Sequence, residues 1–235
     1  MISRTPLSKV TRIWNRVCGL PYLVIRSRRS RTPALIVVTF AIFLFMRRDR
    51  VLSLQIANPD EAELLASGRR AVQSLIPYSK FTSPTYGPVW AVFLGVLGRI
   101  GVPLTLPTAH LLSALLAALT CVVVITAVSR LSSYRLAILT VGPLSLYWAY
   151  GFDHADYWSL STELLPMLIL LTGCAVGFAG WQSKYAVLAG AALVGLGAWS
   201  KYFFGLVGAV VLLALCAVLV QLGMTRRKAL LLVVV

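Results

Sequence analysis

Acidic residues are scarce in this sequence: seven Asp or Glu stand against 22 Lys or Arg in 235 residues, for a formal charge of +15. Charged residues of either sign reach only 12%, while hydrophobic residues make up 59%. That balance excludes an ordinary soluble domain and points to an integral membrane protein, with apolar runs recurring almost to the last residue. Cysteine is sparse as well. Cys121, Cys174 and Cys216 lie inside apolar runs and Cys18 lies in a basic leader, which excludes a secreted disulfide framework. No repeat of solenoid period and no low-complexity stretch is present. No small-residue cleavage site follows the apolar run ending at Met46, so the leader does not read as a signal peptide. The positive charge suggests no nucleic-acid partner, because the basic residues are scattered between apolar runs, as the positive-inside rule expects.

What is present reads as an all-α, polytopic membrane protein of about six transmembrane helices. Residues 1–32 form a basic cytoplasmic leader; the first 31 carry eight Lys or Arg and no acid, which places the N-terminus in the cytoplasm. Residues 33–222 form the membrane module. Its first span, Pro33–Met46, is short for a bilayer that needs about 20 residues. An outside loop follows over 47–85, beginning with Arg47, Arg48 and Arg50, which read as headgroup anchors. Val89–Ile100 is too short to cross and is assigned as a re-entrant or non-crossing segment. Spans follow at Leu106–Val128, Leu136–Tyr150, Leu160–Ala179, Tyr185–Trp199 and Phe203–Leu222, and residues 223–235 begin a further one. With Val89–Ile100 not crossing, most basic links face the cytoplasm and all seven acids lie outside. The expected location is a plasma or inner membrane.

Three of the seven acids cluster in Asn58-Pro59-Asp60-Glu61-Ala62-Glu63. Locally this is a helix start, with Asn58 as N-cap, Pro59 at the first helical position and Glu61 three residues past the cap, as in a capping box. The helix that follows carries Leu64, Leu65, Gly68, Val72, Leu75 and Ile76 on one stripe, with Glu63, Ser67, Arg70 and Ser74 off it. That pattern predicts a surface helix lying flat on the membrane. The acids either cap this helix or do chemistry. A second acidic stretch, Asp153, Asp156 and Glu163, has spacings that put all three on one side of a continuous helix. Opposite Asp60 and Glu61, it offers a general base and a hard-cation site of oxygen ligands, with Asp153 and Asp156 the candidate metal ligands. His154 reads as hydrogen-bonded rather than as a ligand, and His110 as structural. Lys201 follows a Gly-rich run, Gly195-Leu196-Gly197-Ala198-Trp199-Ser200, and precedes Tyr202-Phe203-Phe204. It either snorkels to the interface or holds a lipid phosphate.

In this order the features resemble the N-terminal part of the GT-C glycosyltransferases, most closely glycosyltransferase family 39. That family includes the protein mannosyltransferases and the aminoarabinose transferases of lipid A. The resemblance rests on the basic start, the single span, the outside loop with Asp60-Glu61, the Pro-bracketed Ser83-Pro84-Thr85-Tyr86-Gly87-Pro88, the later acid and the Gly-rich helix ending in Lys201-Tyr202. It covers about residues 30–222. It implies transfer of a sugar from a polyprenyl-phosphate carrier to an acceptor on the non-cytoplasmic face, with membrane lipids as the other partners. Asp60 corresponds to the presumed base and Glu61 to its partner. Asp153 or Asp156 corresponds to the second-loop acid, and Lys201, with Tyr202, to the substrate-binding end of the Gly-rich helix. A divalent cation (Mg or Mn) assists in some members, and no organic cofactor is implied. Family members continue through several more spans, so the chain is expected to represent a truncated N-terminal part. The competing readings are an ion- or solute-translocating transporter and a non-catalytic membrane remnant.

Overall fold

The structure, a computed structural model, describes residues 31–51, 58–76, 87–132, 160–201 and 204–234, together with Leu54, Leu136 and Leu139. Among the described residues it is all-helical: α1 (Arg31–Val51), α2 (Pro59–Gln73), α3 (Val89–Arg99), α4 (Leu106–Leu131), α5 (Leu164–Ala179), α6 (Lys184–Ser200), α7 (Gly205–Gln221) and α8 (Arg226–Val234). By length and composition, α4 is the one described helix long and apolar enough to cross a membrane. The helices α5, α6 and α7 are apolar but have 16 or 17 residues. At 1.5 Å per residue that is roughly 25 Å, somewhat less than a hydrocarbon core of about 30 Å.

The apolar part of the first helix ends at Met46, but the helix itself does not. It continues through Arg47–Arg50 to Val51, and its 21 residues make it about 31 Å long. Arg48 stays within the helix, its guanidinium 4.8 Å from the centre of the Phe45 ring. Phe43 on the inner face packs against Ala117, Ala118, Cys121 and Ile125 of α4, while Val37, Ile42 and Phe45 remain exposed.

The helix after Asn58 also differs from expectation. Its stripe is not turned to a lipid surface: Leu64, Leu65 and Gly68 are buried, and α3 lies on them. The approach is close. A Cβ on Gly68 would sit 2.6 Å from the Leu94 Cβ, and one on Gly95 would sit 2.8 Å from the Ala71 Cβ. Ser67, expected off the buried face, is fully buried. Two arginines lock the pair. Arg69 donates to the Leu104 carbonyl from Nε (3.0 Å) and Nη2 (2.6 Å), and Arg99 donates from Nε to the Val72 carbonyl at 2.9 Å. The main core joins these helices to α4 and α5 through Trp90, Leu94, Leu112, Leu116, Leu160 and Leu164.

Beyond that core, α5 and α6 form an antiparallel hairpin held by glycine. Residues near 166–170 face 197, and 177 faces 190. Gly190 has no room for a side chain, since a Cβ there would meet the Gly177 Cα and N at 2.6 Å. Small-residue contacts of this kind let apolar helices gain packing attraction where no hydrophobic drive between them exists. The remaining helices complete a second core of Val187, Ala191, Val194, Leu215, Leu219 and Ala229.

Candidate functional site

Four chain segments meet at one end of the helices: the start of α2, the start of α4, the turn before α5 and the break after α6. The α2 start is set by its cap. Asn58 has extended backbone and its side chain accepts from the Asp60 amide at 2.9 Å, with Pro59 beside it in the first turn. Fixing that turn fixes the directions of the next two side chains, which diverge by roughly 100° around the axis. Glu61 turns into the core and Asp60 toward α5.

Glu61 is completely buried, so its role goes beyond capping. Its Oε2 lies 3.2 Å from Nε2 of His110, itself only 1% exposed. Its Oε1 accepts from the Leu160 amide at 3.1 Å. A carboxylate so far from water is tolerable only with such partners. His110 sits in the second turn of α4, so one bond joins two helices and the other recruits the segment leading to α5.

Two residues further, Thr162 is the hub of the exposed half of the cluster. Its hydroxyl lies 3.2 Å from Asp60 Oδ2 and 3.0 Å from Glu163 Oε1, and accepts from Lys201 Nζ at 2.5 Å. A hydroxyl has one proton, so it donates to one carboxylate at a time. Lys201 also pairs with Glu163 Oε1 at 2.7 Å, and its side chain is 12% exposed against 45% for Glu163. Burial pushes the Glu163 carboxyl upward. The Lys201 hydrogen bond and charge, with the Thr162 and backbone donors, outweigh that and hold it below the usual glutamate value. Glu163 stands at the N-terminal boundary of α5, outside the helix itself.

The frame around this cluster is built from backbone contacts. Trp90, fully buried, donates from Nε1 to the Thr162 carbonyl at 2.9 Å, and its ring meets Phe93 edge-on at 6.0 Å. The Gly87 amide donates to the Ser200 carbonyl at 2.8 Å, where a Cβ would stand 3.0 Å from the Trp199 carbonyl oxygen. A side chain there would press on the α6 backbone, so glycine suits that approach. Lys201 is extended after α6, and α7 restarts at Gly205, so the break holds the lysine at the helix end facing Thr162.

The sequence-predicted residues thus divide. Asp60 and Lys201 come together through Thr162, and Glu163 joins them. Asp153, Asp156, His154 and Tyr202 lie outside the described residues. The expectation that Asp153, Asp156 and Glu163 share one continuous helix fails, because Leu160 and Ser161 are not helical and α5 starts at Leu164. Among the described residues no group of three or more His, Cys, Asp or Glu is placed to hold a metal. The two carboxylates at Thr162 are bridged by its hydroxyl, and the Lys201 ammonium sits on that hydroxyl and on Glu163. Thr162 and Trp90 escaped the sequence reading, and so did the role of His110. The signal for His110 was there: an imidazole a few residues inside an apolar span is costly without a partner, and acids are too few to leave many candidates.

Chemically, the cluster presents a partly buried carboxylate, Asp60, beside a hydroxyl and an ammonium. That combination can take a proton from an acceptor hydroxyl and steady an anion nearby. No family model, curated protein or solved structure matches the chain.

Proposed function

We propose that the chain is a multi-pass membrane glycosyltransferase module of GT-C type, using a polyprenyl-phosphate-linked sugar as donor on the non-cytoplasmic face. The observation that carries this reading is the Asp60–Thr162–Glu163–Lys201 cluster, which brings a base and a cation from distant parts of the sequence to one end of the helices. The same geometry supports the topology argued from charge. The start of α2, which precedes α3, shares that end with the starts of α4 and α5 and the end of α6, as it does when α3 fails to cross. The 11 residues of α3 span about 16 Å, roughly half a bilayer.

In the proposed reaction Asp60 accepts the proton of the acceptor hydroxyl as its oxygen bonds to the anomeric carbon. The bond from that carbon to the phosphate oxygen breaks, and polyprenyl phosphate leaves with the electron pair. Lys201 has three N–H donors, two of them directed at Thr162 and Glu163, and the third serves a phosphate oxygen. Both acids of the site sit at helix ends, not at mid-span, which favours surface chemistry over an ion path. Glu61, buried behind the site, takes no direct part.

The test is sugar transfer by the chain in lipid nanodiscs, using a panel of radiolabelled short-chain polyprenyl-phosphate sugars and a membrane-extract acceptor. Asp60→Asn is expected to lower kcat by about 10²-fold or more, the usual contribution of a general base, with polyprenyl-phosphate binding unchanged. Absence of both transfer and polyprenyl-phosphate binding in the wild type would remove the reading.

A further inference from the structure

We propose that Glu61 and His110 form a positioning pair that fixes Asp60 against Thr162, by tying the start of α2 to α4 and to the Leu160 amide. The inference rests on the transferase reading for its catalytic meaning, while its structural content stands apart from it.

The geometry is a chain of short links. Glu61 directly follows Asp60, and Leu160 precedes Thr162 by two residues. One carboxylate therefore sets both partners of the 3.2 Å Asp60–Thr162 contact, through Oε1 to Leu160 and Oε2 to His110. The residues joined lie far apart in sequence, separated by 49 and 99 positions, so no local turn chemistry could replace them. His110 is immobilised in turn by α4, the longest described helix and the one shared by α1 and α5. A polar pair buried to this degree is an expensive way to gain stability, because an apolar pair of similar volume often serves as well. What it adds is direction. A hydrogen-bonded carboxylate holds the helix start in one rotation about its axis, whereas a leucine would tolerate several. The rotation decides where Asp60 points, and misplacing a reacting group by about 1 Å can cost about 10²-fold in rate.

The experiment compares Glu61→Leu and Glu61→Gln with the wild type in nanodiscs. Gln accepts from the Leu160 amide and donates to His110 when the imidazole presents Nε2 as acceptor, so it preserves both links. Glu61→Leu preserves volume and removes both. Two readouts are taken on protein confirmed folded by its thermal melt: kcat and KM for transfer, and hydrogen exchange in peptides covering residues 58–63 and 160–163. Glu61→Leu is expected to lower kcat by about 10²-fold with KM and polyprenyl-phosphate binding nearly unchanged. It should also speed exchange of the Leu160 amide by about tenfold. Glu61→Gln should stay within about threefold of wild type in both. A purely structural role would lower the folded fraction and leave the folded remainder turning over normally, which overturns the proposal. Glu61→Gln losing as much rate as Glu61→Leu, with exchange unchanged, also overturns it, because the carboxylate charge would then act in the chemistry itself. Should the wild type neither transfer sugar nor bind polyprenyl phosphate, the transferase reading fails alone; unchanged exchange in Glu61→Leu would sink the positioning pair independently.

Discussion

The two ends of the described structure are held together by different physics. Around α2, α4 and the turn before α5, a few polar side chains make directional bonds across long stretches of sequence, from Asp60 and Glu61 to His110, Leu160, Thr162 and Lys201. Along α5 and α6, away from the Lys201 contacts, glycines let the backbones touch. The first arrangement fixes orientation at the expense of desolvating charge; the second fixes distance and leaves rotation and sliding to shape fit. Chemistry needs orientation, so a candidate site is found where the polar bonds are. The glycine seam serves as the scaffold that keeps the Lys201 break and the Glu163 turn in register.

The comparison is tested most sharply by removing one partner of the buried pair. His110→Leu keeps the volume but strands the Glu61 carboxylate, and is expected to destabilise the protein by about 3–5 kcal/mol. The double variant Glu61→Leu, His110→Leu should recover most of that loss, because no charge is left behind. Thermal unfolding in detergent measures both. If the double variant is as unstable as the single, the pair is not the source of the cost and the polar end is held by something else.

At the glycine end the expected effect is smaller. Gly190→Ala pushes a methyl into the Gly177 backbone, and since neither side is a flexible side chain, the helices must separate. Overpacking of this kind costs about 1–3 kcal/mol. Gly195 lies on the same helix with nothing within 4 Å of its would-be Cβ. Gly195→Ala should be neutral or stabilising by up to about 1 kcal/mol through helix propensity. Equal melting temperatures for the two variants would show that close approach does not hold this seam.

How much of this could be read from sequence also differs between the two ends. Apolar runs of 16 to 26 residues announce helices with little ambiguity, and α4, α5, α6 and α7 lie where hydropathy puts them. The cap at Asn58 was legible because Asn, Pro and an acid at fixed offsets have one local explanation. The long extension of α1 was not, because arginine spacing says nothing about whether a helix continues past its apolar part. Nor was the turn over Leu160–Glu163, hidden in an apolar run. The first part of the stripe on α2, Leu64, Leu65 and Gly68, was seen correctly but assigned the wrong cover, since periodicity shows that a face is apolar and not whether lipid or protein covers it; Leu75 and Ile76 lie past the helix end at Gln73. The pairing of Glu61 with His110 depends on contacts 49 residues apart, and no local pattern encodes them.

The smallest effect is expected at Lys201, and it probes the boundary between the two regions. Lys201→Met keeps the apolar stem and removes the ammonium from Glu163 and Thr162. Because Glu163 is 45% exposed, water screens the pair and its contribution to stability should be about 1 kcal/mol or less. The sign of its pH dependence follows from the lowered Glu163 carboxyl. A group whose folded pKa is depressed contributes fully above its unfolded value and loses that contribution as pH falls through the folded value. The melting-temperature difference between wild type and Lys201→Met should therefore be flat from neutral pH down to the ordinary glutamate range and shrink only below it. Affinity for a short-chain polyprenyl phosphate, measured at neutral pH on the same samples, should fall by about tenfold, as expected for losing one charge-assisted hydrogen bond. A stability difference that grows on acidification would contradict the Glu163 pairing. An unchanged lipid affinity would leave Lys201 as a brace between α5 and α6, with the phosphate contact made elsewhere.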